Sequence, residues 1–281
     1  MKTGQSVAPL GVFDSGLGGL TVVRQIQAVY PNLPIIYYGD TARVPYGTKS
    51  PRTVTHFSRQ IIDFLIAQDI QAIMVACNTA SATAVPVLKD EYSIPIHGVV
   101  EPGARAAFEA SRTGKIGVIG TNSTIRTSVY KSALTRLDGA LEVTVQACPL
   151  FVPIVEEGWE THQVAEITAR EYLAPLIEQE IDTLILGCTH YPLLDKTLRK
   201  ILPETITIID SGVAAANAVE NIVESSVDSS PAYKYFVSDT PERFSEIGAR
   251  FLGHPMENVY YFDVDRPWTA ADIRFAPKVT P

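Results

Sequence analysis

Positive charge, cysteine and long apolar runs are all scarce in this sequence, and each scarcity removes a class of function. Lysine and arginine number 23 against 31 aspartates and glutamates, a formal net charge of -8. A general nucleic-acid binder needs a basic stripe to displace counterions, so no nucleic-acid partner is expected. The acidic excess is spread along the chain, as on a solvated surface. No uninterrupted apolar run approaches the roughly 18 residues that span a bilayer. Met1-Lys2-Thr3-Gly4-Gln5-Ser6 also lacks an apolar core of signal-peptide type. The chain therefore reads as cytoplasmic, without a membrane partner.

Cysteine occurs only at Cys77, Cys148 and Cys188. An odd, widely spaced set is neither a disulfide framework nor the close pairing that zinc requires. Free thiols in a reducing compartment fit, and each needs its own explanation. Nucleotide signatures are missing as well. Gly16-Leu17-Gly18-Gly19 fails the dinucleotide spacing because Thr21 stands where a third glycine belongs, and no Walker-type lysine loop occurs. Asp14-Ser15-Gly16 lacks the second aspartate of an aspartyl-phosphate phosphotransferase. Nothing points to a metal, and no cofactor is expected.

What is present is a regular alternation of strand and helix. The 281 residues are 46% apolar and 19% charged, ordinary values for a globular chain of one large or two medium domains. Short Val/Ile/Leu-rich strands are expected at residues 9–14, 35–40, 72–77, 96–100, 115–120, 143–147, 183–188 and 205–210. Helices fill the intervals, such as 16–30, stopped by Pro31, and one opened by Ser50 as N-cap and Pro51. Continuous apolar strands between amphipathic helices imply α/β architecture, with mainly parallel sheets covered on both faces. The chain also echoes itself. Ile73-Met74-Val75-Ala76-Cys77-Asn78-Thr79 is matched by Leu184-Ile185-Leu186-Gly187-Cys188-Thr189-His190. Two similar domains follow, 1–99 with 210–281 and 100–209, with the active site in the cleft between them. Residues 225–231 read as a linker, and 233–264 as a βαβ-like ending that returns to the first half.

In open parallel sheets ligands bind beyond the carboxyl ends of the strands. That rule selects Asp14 and Ser15, Gly39 and Asp40, Cys77 with Asn78 and Thr79, Thr121 and Asn122, and Cys188 with Thr189 and His190. Two cysteines at matching positions would face each other across the cleft. Inverting an α-carbon needs that arrangement, with one thiolate removing a proton and one thiol returning a proton to the opposite face. Helix N-termini directly after both cysteines are expected to lower their pKa values. The glycine loop reads as backbone N–H groups set out for a carboxylate. Asp14 suits either an N-cap or a site carboxylate. His190 suits either a surface helix or a partner for the Cys188 thiol. Cys148 reads as core.

Phe13-Asp14-Ser15-Gly16-Leu17-Gly18-Gly19, Tyr38-Gly39-Asp40, Pro45-Tyr46-Gly47, Ala76-Cys77-Asn78-Thr79-Ala80-Ser81 and Gly187-Cys188-Thr189-His190-Tyr191-Pro192 together resemble the bacterial glutamate racemases. The resemblance runs in order over roughly residues 8 to 255. It implies two α/β domains enclosing glutamate, no cofactor, a homodimer, and a role in supplying D-glutamate for peptidoglycan, hence cell-wall biogenesis and cell shape. It further implies Cys77 as the base for the D-isomer and Cys188 for the L-isomer. Asp14 and His190 would assist, with Glu156 as a further acidic helper. Substrate contacts carried over are Asp14, Ser15, Tyr46, Gly47, Asn78, Thr79, Thr121, Thr189 and His190. Three rival readings have distinct signatures. An aspartate racemase would turn over the shorter amino acid, a Cys188–His190 acyl-transfer enzyme would form a covalent acyl-enzyme, and a binding protein would exchange no α-proton.

Overall fold

The computed structural model describes residues 7–223, 232–274 and 276–279; the expected linker at 225–231 lies outside them. Eleven strands are present among the described residues: β1 Leu10–Asp14, β2 Ile35–Gly39, β3 Ala72–Val75, β4 Ile96–Gly98, β5 Lys115–Gly120, β6 Glu142–Ala147, β7 Thr183–Gly187, β8 Thr207–Asp210, β9 Tyr233–Val237, β10 Val259–Tyr261 and β11 Lys278–Val279. They form two sheets, ordered β11-β10-β9-β2-β1-β3-β4 and β6-β5-β7-β8. All pairings are parallel except β10 with β11. The protein is thus an α/β fold of two parallel sheets flanked by helices.

The sequence pattern explains the layers. β1, β2, β3 and β7 are buried along their whole length, as strands covered on both faces must be. Successive β1 side chains point to opposite sides, so Leu10 and Val12 join one core with Leu20, Ile26 and Tyr37. Phe13 joins the other core, with Tyr38, Phe64 and Leu65. The first core runs on through Ile119, Leu184 and Leu186 of the second sheet, which ties the halves together by apolar burial. Helix Pro51–Ile66 starts where the sequence says it should. The Ser50 Oγ accepts from the Thr53 N–H at 3.2 Å, Pro51 takes the first turn, and Val54, Ile61, Phe64 and Leu65 are buried on one face.

Within the two sheets the strands β2-β1-β3-β4 and β6-β5-β7-β8 follow one order. β3 and β7 are therefore equivalent, and Cys77 and Cys188 follow them at equivalent places. Both cysteines lie just past their strands, and Val100 belongs to helix Val100–Ala110 instead of a strand. One expectation fails here. An α-helix, Asn78–Thr83, opens directly after Cys77, but Cys188 is followed by a turn and then the 3-10 helix Tyr191–Leu194. Pro192 is the physical reason, because it lacks the N–H that an α-helix starting at Cys188 would need.

Candidate active site

Each sheet reverses its direction of winding between two central strands, β1 and β3 in the first and β5 and β7 in the second. Loops diverge at such points and leave a crevice. The two crevices meet in a single cavity of about 370 Å³, at the small end of the range for ligand sites. Ser15, Cys77, Asn78 and Thr79 line it from the first switch point, and Thr121, Cys188, Thr189 and His190 from the second. Tyr46, Gly47 and Glu156 complete the expected set. Gly39 and Asp40 do not line the cavity, and neither does Asp14. It lies fully buried behind Ser15, where its Oδ2 accepts from the Gly16 N–H at 3.0 Å.

The two thiols have different surroundings. The Cys77 Sγ accepts from the Ala80 N–H at 3.4 Å and donates to the Ser15 Oγ at 3.7 Å. Burial pushes the thiol up to about 12, and the Asp14 carboxylate adds to the push. The expected lowering by the helix N-terminus is thus overturned at Cys77, since two hydrogen bonds do not repay the loss of water around a thiolate. Cys188 instead lies 3.9 Å from the His190 Nδ1, and the His190 Nε2 lies 3.0 Å from the Glu156 Oε1. Burial alone would lower His190, yet the contacts with Cys188 and Glu156 outweigh it and raise the imidazole to about 10. His190 is buried, not on a helix surface. Cys148 is wholly buried and free.

Asp14 links the two sides. Burial raises its pKa; the nearby His190 charge and the N–H groups of Gly19, Gly16 and Ser15 pull it back in part. Its Oδ1 is buried and has no hydrogen-bond partner. A carboxylate oxygen left unpaired in that way is costly unless a bound group supplies the donor.

The hydroxyl and amide groups of the site are hydrogen-bonded to one another. The Tyr130 OH donates to the Asn78 Oδ1 at 2.5 Å, and the Thr79 and Thr121 hydroxyls are 3.0 Å apart across the two halves. Asp40, fully buried, accepts from Arg43 Nε, the Tyr46 OH and, at 3.0 Å, the Ser238 OH. It therefore acts on the cavity through the loop that carries Tyr46 and Gly47. No three of the described His, Cys, Asp and Glu residues are grouped as a metal site.

A model of the Asp/Glu/hydantoin racemase family matches residues 20–219. The chain belongs to this family. The enzyme is similar to the glutamate racemase of Geobacter metallireducens, with 48% identity over 261 residues, 91% of this chain and 97% of that protein. Its fold is similar to that of a glutamate racemase isoform from Bacillus anthracis, with a TM-score of 0.87 at 39% identity, covering 91% of this chain and 97% of that one. It is similar also to the Francisella tularensis glutamate racemase solved with D-glutamate, with a TM-score of 0.85 at 37% identity and coverages of 92% and 98%. These relatives place the enzyme among the glutamate racemases.

Sequence reasoning missed one wall of the cavity. Asp239, Thr240, Arg243, Phe244 and Ile247 reach it from the end of β9 and the helix Pro241–Leu252. The strand-end rule would have found Asp239 had it been applied to the last βαβ unit. Pro149, Val152 and Pro153 also line it; ordinary apolar residues carry no such signal. No helix among the described residues is long and apolar enough to cross a membrane.

Proposed function

We propose that the enzyme interconverts L- and D-glutamate by two-base proton transfer between Cys77 and Cys188. The observation that carries this reading is the shared cavity, into which equivalent turns of two like-wound sheets each bring one thiol. With L-glutamate, the Cys188 thiolate takes the α-proton while the electron pair stays on the α-carbon. The Cys77 thiol then delivers its own proton to the opposite face, leaving a Cys77 thiolate and D-glutamate. The reverse reaction starts at Cys77. The upward push on Cys77 suits the thiol partner of the L-direction, and a protonated His190 stabilises negative charge on the neighbouring Cys188 sulfur. Glu156 holds His190 in that state. Asp14, buried behind Ser15 with its Oδ1 unpaired, assists Cys77 from the second row and belongs to the substrate-binding set by the family resemblance. Ser15, Tyr46, Gly47, Asn78, Thr79, Thr121, Thr189 and His190 bind the substrate, with hydroxyls, amides and loop N–H groups for its two carboxylates.

Included in the reading are a domain division near residues 100 and 210, a homodimer, a cytoplasmic site of action and a supply of D-glutamate to peptidoglycan. Membership of β1–β4 and β9–β11 in one sheet and β5–β8 in the other supports the division.

Incubation of L-glutamate with the enzyme in heavy water, without added cofactor, is expected to give D-glutamate carrying deuterium at the α-carbon. Cys77→Ala and Cys188→Ala are each expected to lower racemisation by about 10³-fold or more, since each removes a proton-transfer partner. Wild-type turnover in either variant would overturn the two-thiol reading.

A further inference from the structure

Thr21 belongs to the first half of the molecule, in the opening turn of helix Leu20–Val29, and no motif of the site includes it. Its hydroxyl nevertheless lies at the join between the halves. The Thr21 Oγ1 is 2.9 Å from the Gly18 carbonyl oxygen and 3.0 Å from the Thr189 carbonyl oxygen, so one proton is shared between two acceptors. The Gly18 carbonyl already accepts from the Thr21 N–H at 3.0 Å. The Thr189 carbonyl stands differently. In the tight turn that follows, the His190 carbonyl accepts from the Leu193 N–H three residues on, at 3.2 Å. The same step from Thr189 leads to Pro192, which has no N–H to give. A buried carbonyl must find a donor elsewhere, and here Thr21 reaches across from the other half to supply it. The two surfaces are in close contact around that bond. A Cβ built on Gly18 would stand 2.1 Å from the Thr189 Oγ1 and 2.6 Å from the His190 Nδ1, so only glycine fits under the turn.

We propose that Thr21 is a positioning residue for the reaction, fixing the Cys188-Thr189-His190 turn against the first half and so setting the Cys188 thiol relative to the substrate α-carbon. The proposal rests on the two-thiol reading above. Thr21 touches neither thiol and acts through the Thr189 backbone.

A two-step exchange through one carbanion allows a sharp test. Displacing Cys188 raises the barrier of its own step and makes that step more rate-determining. Deuterium on L-glutamate leaves in that step, whereas deuterium on D-glutamate leaves at Cys77. Thr21→Val, which keeps the shape and removes the donor, is expected to lower kcat/KM about tenfold, the scale of one buried hydrogen bond. The α-deuterium effect on kcat/KM is expected to grow with L-glutamate and shrink with D-glutamate. Thr21→Ser should restore both, and Pro192→Ala in the Thr21→Val background should restore part of the loss by returning an N–H to the turn. Wild-type kcat/KM and isotope effects in a Thr21→Val protein of native melting temperature would overturn the proposal. A loss of kcat/KM with neither isotope effect changed would also overturn it, because that is what a purely structural role gives. Growth with D-glutamate and shrinkage with L-glutamate would support the positioning role of Thr21 and overturn instead the assignment of Cys188 to the L-isomer.

Discussion

The turn after β3 and the turn after β7 occupy equivalent places in two sheets of one strand order, yet they treat their cysteines in opposite ways. The first is a backbone solution. Cys77 caps the helix Asn78–Thr83, accepts from the Ala80 N–H, and has the hydroxyl of Ser15 as its side-chain partner. The second is a side-chain solution, in which Cys188 has His190 beside it and Glu156 behind that ring. One strand order thus fixes where the two thiols stand, while the local surroundings set the partners of each separately. Under the proposed two-thiol reaction, unlike partners suit thiols that must at any moment play unlike roles, one giving a proton and one taking it.

The sharpest way to break the comparison is at His190. His190→Asn is expected to reduce kcat/KM by about 10²-fold, the lower range for loss of an acid–base partner. Ser15→Ala should cost less, because Cys77 keeps its bond from the Ala80 N–H. Steady-state kinetics in both directions measure the pair, and equal losses would mean that the two turns work alike. Glu156→Gln, by removing one of the contacts that raise His190, should move the pH limb belonging to that imidazole toward lower pH.

Gly18→Ala sharpens the same contrast from the opposite wall. The new methyl collides with Thr189 and His190, and overpacking of that kind costs about 1–3 kcal/mol. A lowered melting temperature with a fall in activity is expected; an unchanged kcat/KM would show that the second turn tolerates displacement.

The smallest effect concerns stability against pH. Cys77 is raised from 9.0 to about 12 in the folded protein. Between those values the unfolded chain ionises this thiol and the folded one does not, so stability falls as pH rises through that window. Cys148, pushed up by burial as well, adds to the fall. Denaturant melts across pH 8 to 12 should therefore decline less steeply in Cys77→Ala than in the parent (an expected difference). Asp182 makes the opposite contribution. Its carboxylate accepts from the N–H groups of Arg112 and Thr113 and the hydroxyls of Ser111 and Thr183, and these bonds outweigh its burial and hold its pKa below the usual range. That stability is present above the ordinary carboxylate pKa and is lost as pH falls through the depressed value.

Much of this site is legible in the sequence because parallel sheets leave a strong trace. Strands such as Ile73–Val75 and Leu184–Leu186 are apolar at every position since helices cover both faces, and the polar residue that follows such a run marks a strand end. That single regularity locates Ser15, Cys77, Thr121 and Cys188. Glu156 is different, because an acidic residue at the end of a short helix looks like any solvated glutamate until the His190 ring is placed beside it. The wall from Asp239 to Ile247 reaches the cavity because β9 adds to β2, a pairing between residues about 200 apart in the chain, and of its residues only Asp239, near the strand end, leaves a trace in the sequence.

Residue type and spacing by themselves determined the alternation of elements, the paired thiols and the absence of nucleotide-binding loops, since these follow from local backbone chemistry and the burial period. Tertiary structure alone decided which partners each buried thiol meets, which carboxylate touches which ring, and that a threonine in one half completes a turn in the other. Those properties depend on distances across the fold of a 281-residue chain, and desolvation and hydrogen bonding are set by such distances whatever the order of the chain.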